Sequence, residues 1–300
     1  MRIAPLRRGT GAAAAVALAC ATTLTGVGTA QAVTHQGQDR HEAVDVRLTE
    51  HGIEAPDAAE GGIVHLRIST DNPGGRQLQV FRPHQGVSVD KVLADLAKAV
   101  NENPAIAKVG ITAFNKDAEA LGGGFATPKV PVDVTEPISD GTVYLLDFSA
   151  FLADPAHPVL RSLELCDGDP DKGLAPFPKG IVLQEKGPRF RVEDVNRADA
   201  PILVHNTTDE IHEMLIRPVK PGTTDADIQA YFDALAHGQQ PPSPFTGPPS
   251  GLGAISADHT AIVQAKNLPA GRYVLLCFIP DDENGIPHAF LGMHKVVQLS

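Results

Sequence analysis

Tryptophan is absent from these 300 residues, and tyrosine, methionine and cysteine occur three times each. So few cysteines exclude a disulfide-stapled scaffold. No apolar run after the first thirty residues reaches the roughly 20 that a helix needs to cross a bilayer. Basic charge is also short, with 25 Lys and Arg against 36 Asp and Glu and a formal net charge of −11. Such a balance argues against nucleic acid and anionic membrane as partners. Neither a nucleophile elbow nor a metalloprotease helix motif occurs, which leaves hydrolase chemistry without support. No His-x-His pair occurs either.

The chain starts with Arg2, Arg7 and Arg8, an Ala-rich apolar stretch, and then Ala30-Gln31-Ala32. This is the order of a cleaved secretory signal. Residues 1–32 are therefore expected to be removed, with the mature chain starting near Val33 and exported. The alternative, a lipid-modified Cys20, has only the poor motif Ala17-Leu18-Ala19 ahead of it. Cleavage removes three basic residues and no acidic ones, taking the formal charge from −11 to −14.

The two halves can be laid over each other. "QLQVFRPHQGVSVDKVLADLAKA" from Gln77 aligns with "HEMLIRPVKPGTTDADIQAYFDA" from His212 at an offset of 135, superposing Arg82-Pro83 on Arg217-Pro218. "GTVYLLDF" from Gly141 aligns in the same order with "GRYVLLCF" from Gly271, at an offset of 130. Each second match is preceded by a glycine-rich stretch, "LGGGFATP" or "PPSGLGAIS", expected to be a loop. Two ordered matches point to a duplicated domain, since the period is too long for a solenoid. The expected boundary lies within residues 174–190, giving halves of 33–182 and 183–300. Short β-rich pieces bounded by Gly, Pro, Asn and Asp predict a sandwich in each half. One helix is expected in each, after Ser88 and after Thr223 or Thr224. The Pro-rich "HGQQPPSPFTGPPSG" reads as an exposed connection.

Because sulfur is scarce, its clustering near the C-terminus carries information. Cys277 ends a strand whose Tyr273, Leu275 and Cys277 share one face; His288 follows a loop, and Met293 comes five residues later. A thiolate and two imidazoles in a plane with a long thioether contact suit copper cycling between two oxidation states. His212 is the natural second imidazole. Other readings remain: Cys277 as a small buried hydrophobe, or Cys277 in a disulfide with Cys166. His205, His259 and His294 read as solvated or hydrogen-bonded surface residues.

At "ILVHNTTDEIHEMLI" and "GRYVLLC…GIPHAFLGM" the sequence resembles the cupredoxin, or blue copper, family. The resemblance implies all-β architecture, two cupredoxin-like Greek-key sandwiches each with an inserted helix. It implies one type 1 copper held by His212, Cys277 and His288, with Met293 axial and Asn206 preceding the first ligand. It further implies that His288 lies nearest the surface and is the edge for electron exchange with a redox partner that the sequence does not name. Three features depart from the pattern. The ten residues between Cys277 and His288 make a long loop, acidic at Asp281, Asp282 and Glu283, which predicts a looser or partly open site. Glu213 follows the first histidine. The first half has Gln77 and Asp147 at the ligand positions and is expected to be metal-free. An oxidase or reductase role is disfavoured by the missing His-x-His pair and by Leu276 before Cys277. A metal-free sandwich used for binding or structure is the main alternative.

Overall fold

The computed structural model describes residues 43–166, 168 and 176–300. The signal-like residues 1–32 lie outside these, as do Leu174 and Ala175 of the expected boundary. The first half contributes β1 (Val44–Thr49), β2 (Gly52–Glu54), β3 (Ala58–Glu60), β4 (Gly62–Thr70) and β5 (Arg76–Pro83). Helices α1 (Val89–Ala99) and α2 (Pro104–Asp117) follow, then β6 (Ala118–Ala126), β7 (Val132–Ile138), β8 (Gly141–Asp147), α3 (Phe148–Ala153) and β9 (Leu160–Cys166). The second half contains β10 (Gly180–Glu185), β11 (Arg189–Glu193), β12 (Ile202–Asn206) and β13 (His212–Pro218). It continues with α4 (Asp225–Ala236), β14 (Ser250–Ile255), β15 (Thr260–Ala265), β16 (Gly271–Leu276), a 3₁₀ turn at His288–Leu291 and β17 (His294–Leu299). Strand β10 begins upstream of residue 183, where the sequence reading starts the second half.

The chain is mostly β, in two mixed sheets that both run through the two halves. One has the order β11-β10-β12-β15-β7-β4-β1-β2, the other β17-β16-β13-β14-β6-β5-β8-β9-β3. Apart from β3, each order is palindromic about its central pair, β15 with β7 or β14 with β6. The apolar cluster between the sheets is likewise shared, with Leu78, Val80 and Leu121 in one group with Met214, Ile216 and Leu252. Leu146 pairs with Gln79 and Leu276 with Leu215, one residue out of the sequence alignment. The same two strands, β5 and β13, also meet ladder irregularities on their other side, between Gln79 and Phe81 and between His212 and Met214, with the extra residue on β6 and on β14.

The glycine-rich stretches are not loops. They are β6 and β14, the buried pair that joins the halves, and their glycines are needed for close approach rather than flexibility. A Cβ on Gly124 would stand 2.7 Å from the Gly251 carbonyl oxygen. One on Gly251, at φ +114°, would stand 2.5 Å from the Met214 carbonyl oxygen. For the same reason Ser250 and Gly251 leave the Pro-rich connection and enter the sheet.

The expected helices are α1 and α4. Ser88 accepts a hydrogen bond from the Lys91 N–H, and Thr224 forms a capping box with Asp227. Helices α2 and α3 are additions to the one helix expected in the first half. Pro104 stands where no intrahelical bond is lost, and a Cβ on Gly110 would meet the Ala99 nitrogen at 2.1 Å.

A half-buried cluster of one histidine and two glutamates also spans the halves. His259, between β14 and β15, bonds Glu136 of β7 through Nδ1 at 2.7 Å and Glu119 of β6 through Nε2 at 3.0 Å. Hydrogen bonds donated to these carboxylates, Glu119 first, hold the imidazole protonated up to about 10. A histidine whose folded value lies above its unfolded one stabilises fully below the unfolded value, roughly 6.5. That stability is lost as pH rises through the folded value. The thermal midpoint should therefore fall between about pH 6.5 and 10. The double variant His259→Gln with Glu136→Gln, which removes the pair without stranding a buried carboxylate, should flatten that fall in a series of thermal melts.

Candidate metal centre

Three of the four sequence-derived positions meet at one end of the second half. His212 opens β13, Cys277 follows β16 directly, and His288 opens the 3₁₀ turn, so two adjacent strands and a returning loop supply them. Cys277 Sγ lies 3.5 Å from His288 Nδ1 and 3.8 Å from His212 Nδ1, and the two Nδ1 atoms are 3.0 Å apart. All three side chains are buried. Met293 is fully buried as well and belongs to the same apolar cluster as Cys277. Its N–H donates to the His288 carbonyl at 2.9 Å after a left-handed turn at Gly292, φ +105°.

The loop between Cys277 and His288 is closed rather than loose. Pro280 and Pro287 form a bridge. The His288 N–H donates to Ile279 O and the Ala289 N–H to Cys277 O. The Asp281 carboxylate accepts the Glu283 and Asn284 N–H groups at 3.0 and 2.9 Å. The acidic residues that suggested an open site therefore serve partly as turn formers.

Helix α2 closes the same end from outside. Lys108 Nζ donates to Glu283 O at 2.6 Å, and Asn115 Nδ2 donates to Asp209 O at 3.2 Å. Ile211 and Ile279 join the apolar cluster of α1 and α2. His288 is 0 % exposed, which corrects the implication that it is the ligand nearest the surface. Gly285, at φ +75°, lies so close to α2 that a Cβ would stand 1.9 Å from Pro104 O. Gly285→Ala should force the loop off α2 and raise amide exchange across residues 281–288 well above the parent protein.

Burial sets the electrostatics. It pushes His212 down to about 2, helped by His288, so the ring is neutral and one of its nitrogens is free to bind a metal. Burial, then the nearby Glu213, pushes the Cys277 thiol well up. The Glu213 N–H contacts Cys277 Sγ at 3.5 Å. A coordinating cation reverses that logic by deprotonating the thiol. The donor set, two imidazoles and one sulfur converging at a buried site, fits a soft transition metal and resembles a type 1 copper site.

Two acids that the sequence reading did not assign frame the centre. Glu213 is buried; its Oε1 accepts the Phe278 N–H at 3.0 Å and its Oε2 accepts from Gln77 at 3.1 Å. Burial raises it to about 7. Glu210 accepts a hydrogen bond from His288 Nε2 at 2.9 Å, which holds its carboxyl below the usual range. Asn206 anchors this segment, with Nδ2 donating to Glu210 O, Ile255 O and Ser256 O. Charge at Glu210 and Glu213 is visible in the sequence, but their direction toward the centre depends on the bend after Asn206.

The other candidates lie elsewhere. No disulfide joins Cys277 to Cys166, which ends β9 and whose Sγ contacts Ala59 O at 3.8 Å. His205 bonds Thr260 and the His259 carbonyl. His259 is the ion-paired residue described above. His294 bonds Gln229 at 3.0 Å, and with its side chain 6 % exposed it is not a surface residue. In the first half Asp147, fully buried, pairs with Arg76 and caps α3 through the Ala150 N–H. Gln77 there reaches Glu213, so an ion pair and a hydrogen bond occupy the end corresponding to the metal centre.

No protein-family model matches the chain, and no curated protein matches its sequence. Among solved structures it is similar to auracyanin B, at 12% identity and TM-score 0.25, covering 43% of this chain and 93% of that one. Rusticyanin from Thiobacillus ferrooxidans is another, at 15% identity and TM-score 0.24, covering 40% and 75%. Reduced auracyanin from Roseiflexus castenholzii has 18% identity and TM-score 0.20, covering 40% and 94%. At these scores the likeness carries no argument about this chain.

Proposed function

We propose that this chain is a secreted, cupredoxin-like protein that binds one copper ion through His212, Cys277 and His288, with Met293 as the weak axial ligand. The observation that carries the reading is the convergence of two imidazole nitrogens and a thiol sulfur within 3.8 Å of one another, all buried. Copper held there would supply a one-electron couple, with no bond made or broken in a substrate. The chain's residues keep water out, fix both rings and hold the sulfur in place. Electron transfer or copper holding fits such a closed site better than turnover. The missing His-x-His pair and Leu276 beside Cys277 support a non-enzymatic role. Export is supported by the signal-like segment ending at Ala32, and duplication by the palindromic strand orders.

A second reading has one observation in its favour. The first half closes the corresponding end with Arg76 and Asp147, so this architecture does not require a metal. Native mass spectrometry decides between the two. Protein recovered from culture medium should begin near Val33 and retain one copper per chain after incubation with Cu(II) and desalting. The mass of the bare chain alone would favour the metal-free module. Met293→Leu should still bind and should raise the reduction potential, measured by redox titration. Loss of an axial donor for a more apolar group favours the lower-charged ion.

A further inference from the structure

The carboxylate next to His288 has a place that the copper reading does not require. His288 has its two nitrogens in different surroundings. Nδ1 faces Cys277 Sγ and His212 Nδ1 at 3.5 and 3.0 Å, while Nε2 faces Glu210 Oε2 at 2.9 Å. An ionised carboxylate only accepts hydrogen bonds, so the proton in this contact belongs to the imidazole. The ring is fully buried. Asp281 Oδ2 is 3.9 Å from Nε2, too far for a hydrogen bond, and the other oxygen of that carboxylate holds the loop turn. Glu210 itself is fixed. Its carbonyl accepts from Asn206 Nδ2 at 2.7 Å, and its N–H donates to Thr208 Oγ1 at 3.1 Å.

We propose that Glu210 is a positioning residue: by accepting the Nε2–H of His288 it holds the ring in the tautomer that turns a bare Nδ1 toward Cys277 and His212. The inference rests on the copper reading for its purpose but not for its test. Metal-bound histidines commonly donate their other N–H to a carboxylate, which fixes both tautomer and ring direction. Here the same contact takes up the imidazole edge that would otherwise face outward.

The test begins with metal-free protein, with histidine labelled by ¹⁵N and long-range ¹H–¹⁵N correlations read for His288. The parent should show one tautomer, proton on Nε2. Glu210→Gln keeps an acceptor oxygen and should preserve that tautomer. Glu210→Ala should give both tautomers, and Asp281→Asn should change nothing. With Cu(II) added against a competing chelator, Glu210→Ala should bind about 10- to 100-fold more weakly, and Glu210→Gln close to the parent. A parent ring protonated on Nδ1, or a tautomer indifferent to Glu210→Ala, overturns the proposal. Should the tautomer follow Glu210 in a chain that takes up no copper, the positioning role stands and the copper reading falls. Should copper bind while the tautomer ignores Glu210, the reverse holds.

Discussion

Cys277→Ser is expected to remove completely any visible absorption that Cu(II) induces in this protein, while leaving it folded. The residue directly follows β16 with no exposed surface, and its sulfur is the only thiol among the described residues within reach of His212 and His288. A hydroxyl is close in shape but lacks the polarisable electron density that a thiolate gives to copper. Serine should cost little in packing, because the Glu213 N–H that contacts the sulfur could donate to an oxygen instead. Far-ultraviolet circular dichroism should match the parent, and the visible band should be absent at every copper concentration. A band that survives in Cys277→Ser would assign it to another centre.

The second large effect concerns the joint between the halves. Gly251→Ala is expected to destabilise the whole chain, not only β14, by about 3 to 5 kcal/mol in urea unfolding. Gly251 pairs on one side with Leu215 of β13 and on the other with Phe125 of β6. A methyl group there meets the backbone of Met214, and the residue sits at φ +114°, which side chains rarely adopt. The backbone atoms the methyl group meets, Met214 O and Ile216 N, cannot yield without shifting the strand that begins at His212. Gly52, at φ +134° with open space around its absent Cβ, separates the two contributions. Gly52→Ala should show the conformational part alone, about 1 to 3 kcal/mol. Equal effects at the two positions would mean that the contact across β13 and β14 carries nothing.

These effects mark what the sequence makes legible. Rare residue types in order, Cys277, His288 and Met293, were readable because few other sulfurs compete with them. Strands β4, β5, β8, β12, β13, β15, β16 and β17 and helices α1 and α4 were readable from alternation and from caps at Ser88 and Thr224. Glycine misled: in "LGGGFATP" and "PPSGLGAIS" it signalled loops but serves close backbone packing in β6 and β14. Helix α2 was not read from the sequence, and its Gly110 admits α1. Each of these depends on what lies opposite in space, which local pattern does not encode. The same limit applies at the site. The loop of Asp281, Asp282 and Glu283 looked open because acidic residues favour water, yet α2, distant in sequence, covers it. Glu210 became visible only when the turn after Asn206 brought it to His288.

The most direct test of the central claim is an absorption titration of the metal-free mature protein with Cu(II). The account predicts an intense visible thiolate-to-copper band that grows linearly and stops at one copper per chain. A titration with no such band, in protein shown to be folded with Cys277 reduced, would contradict it.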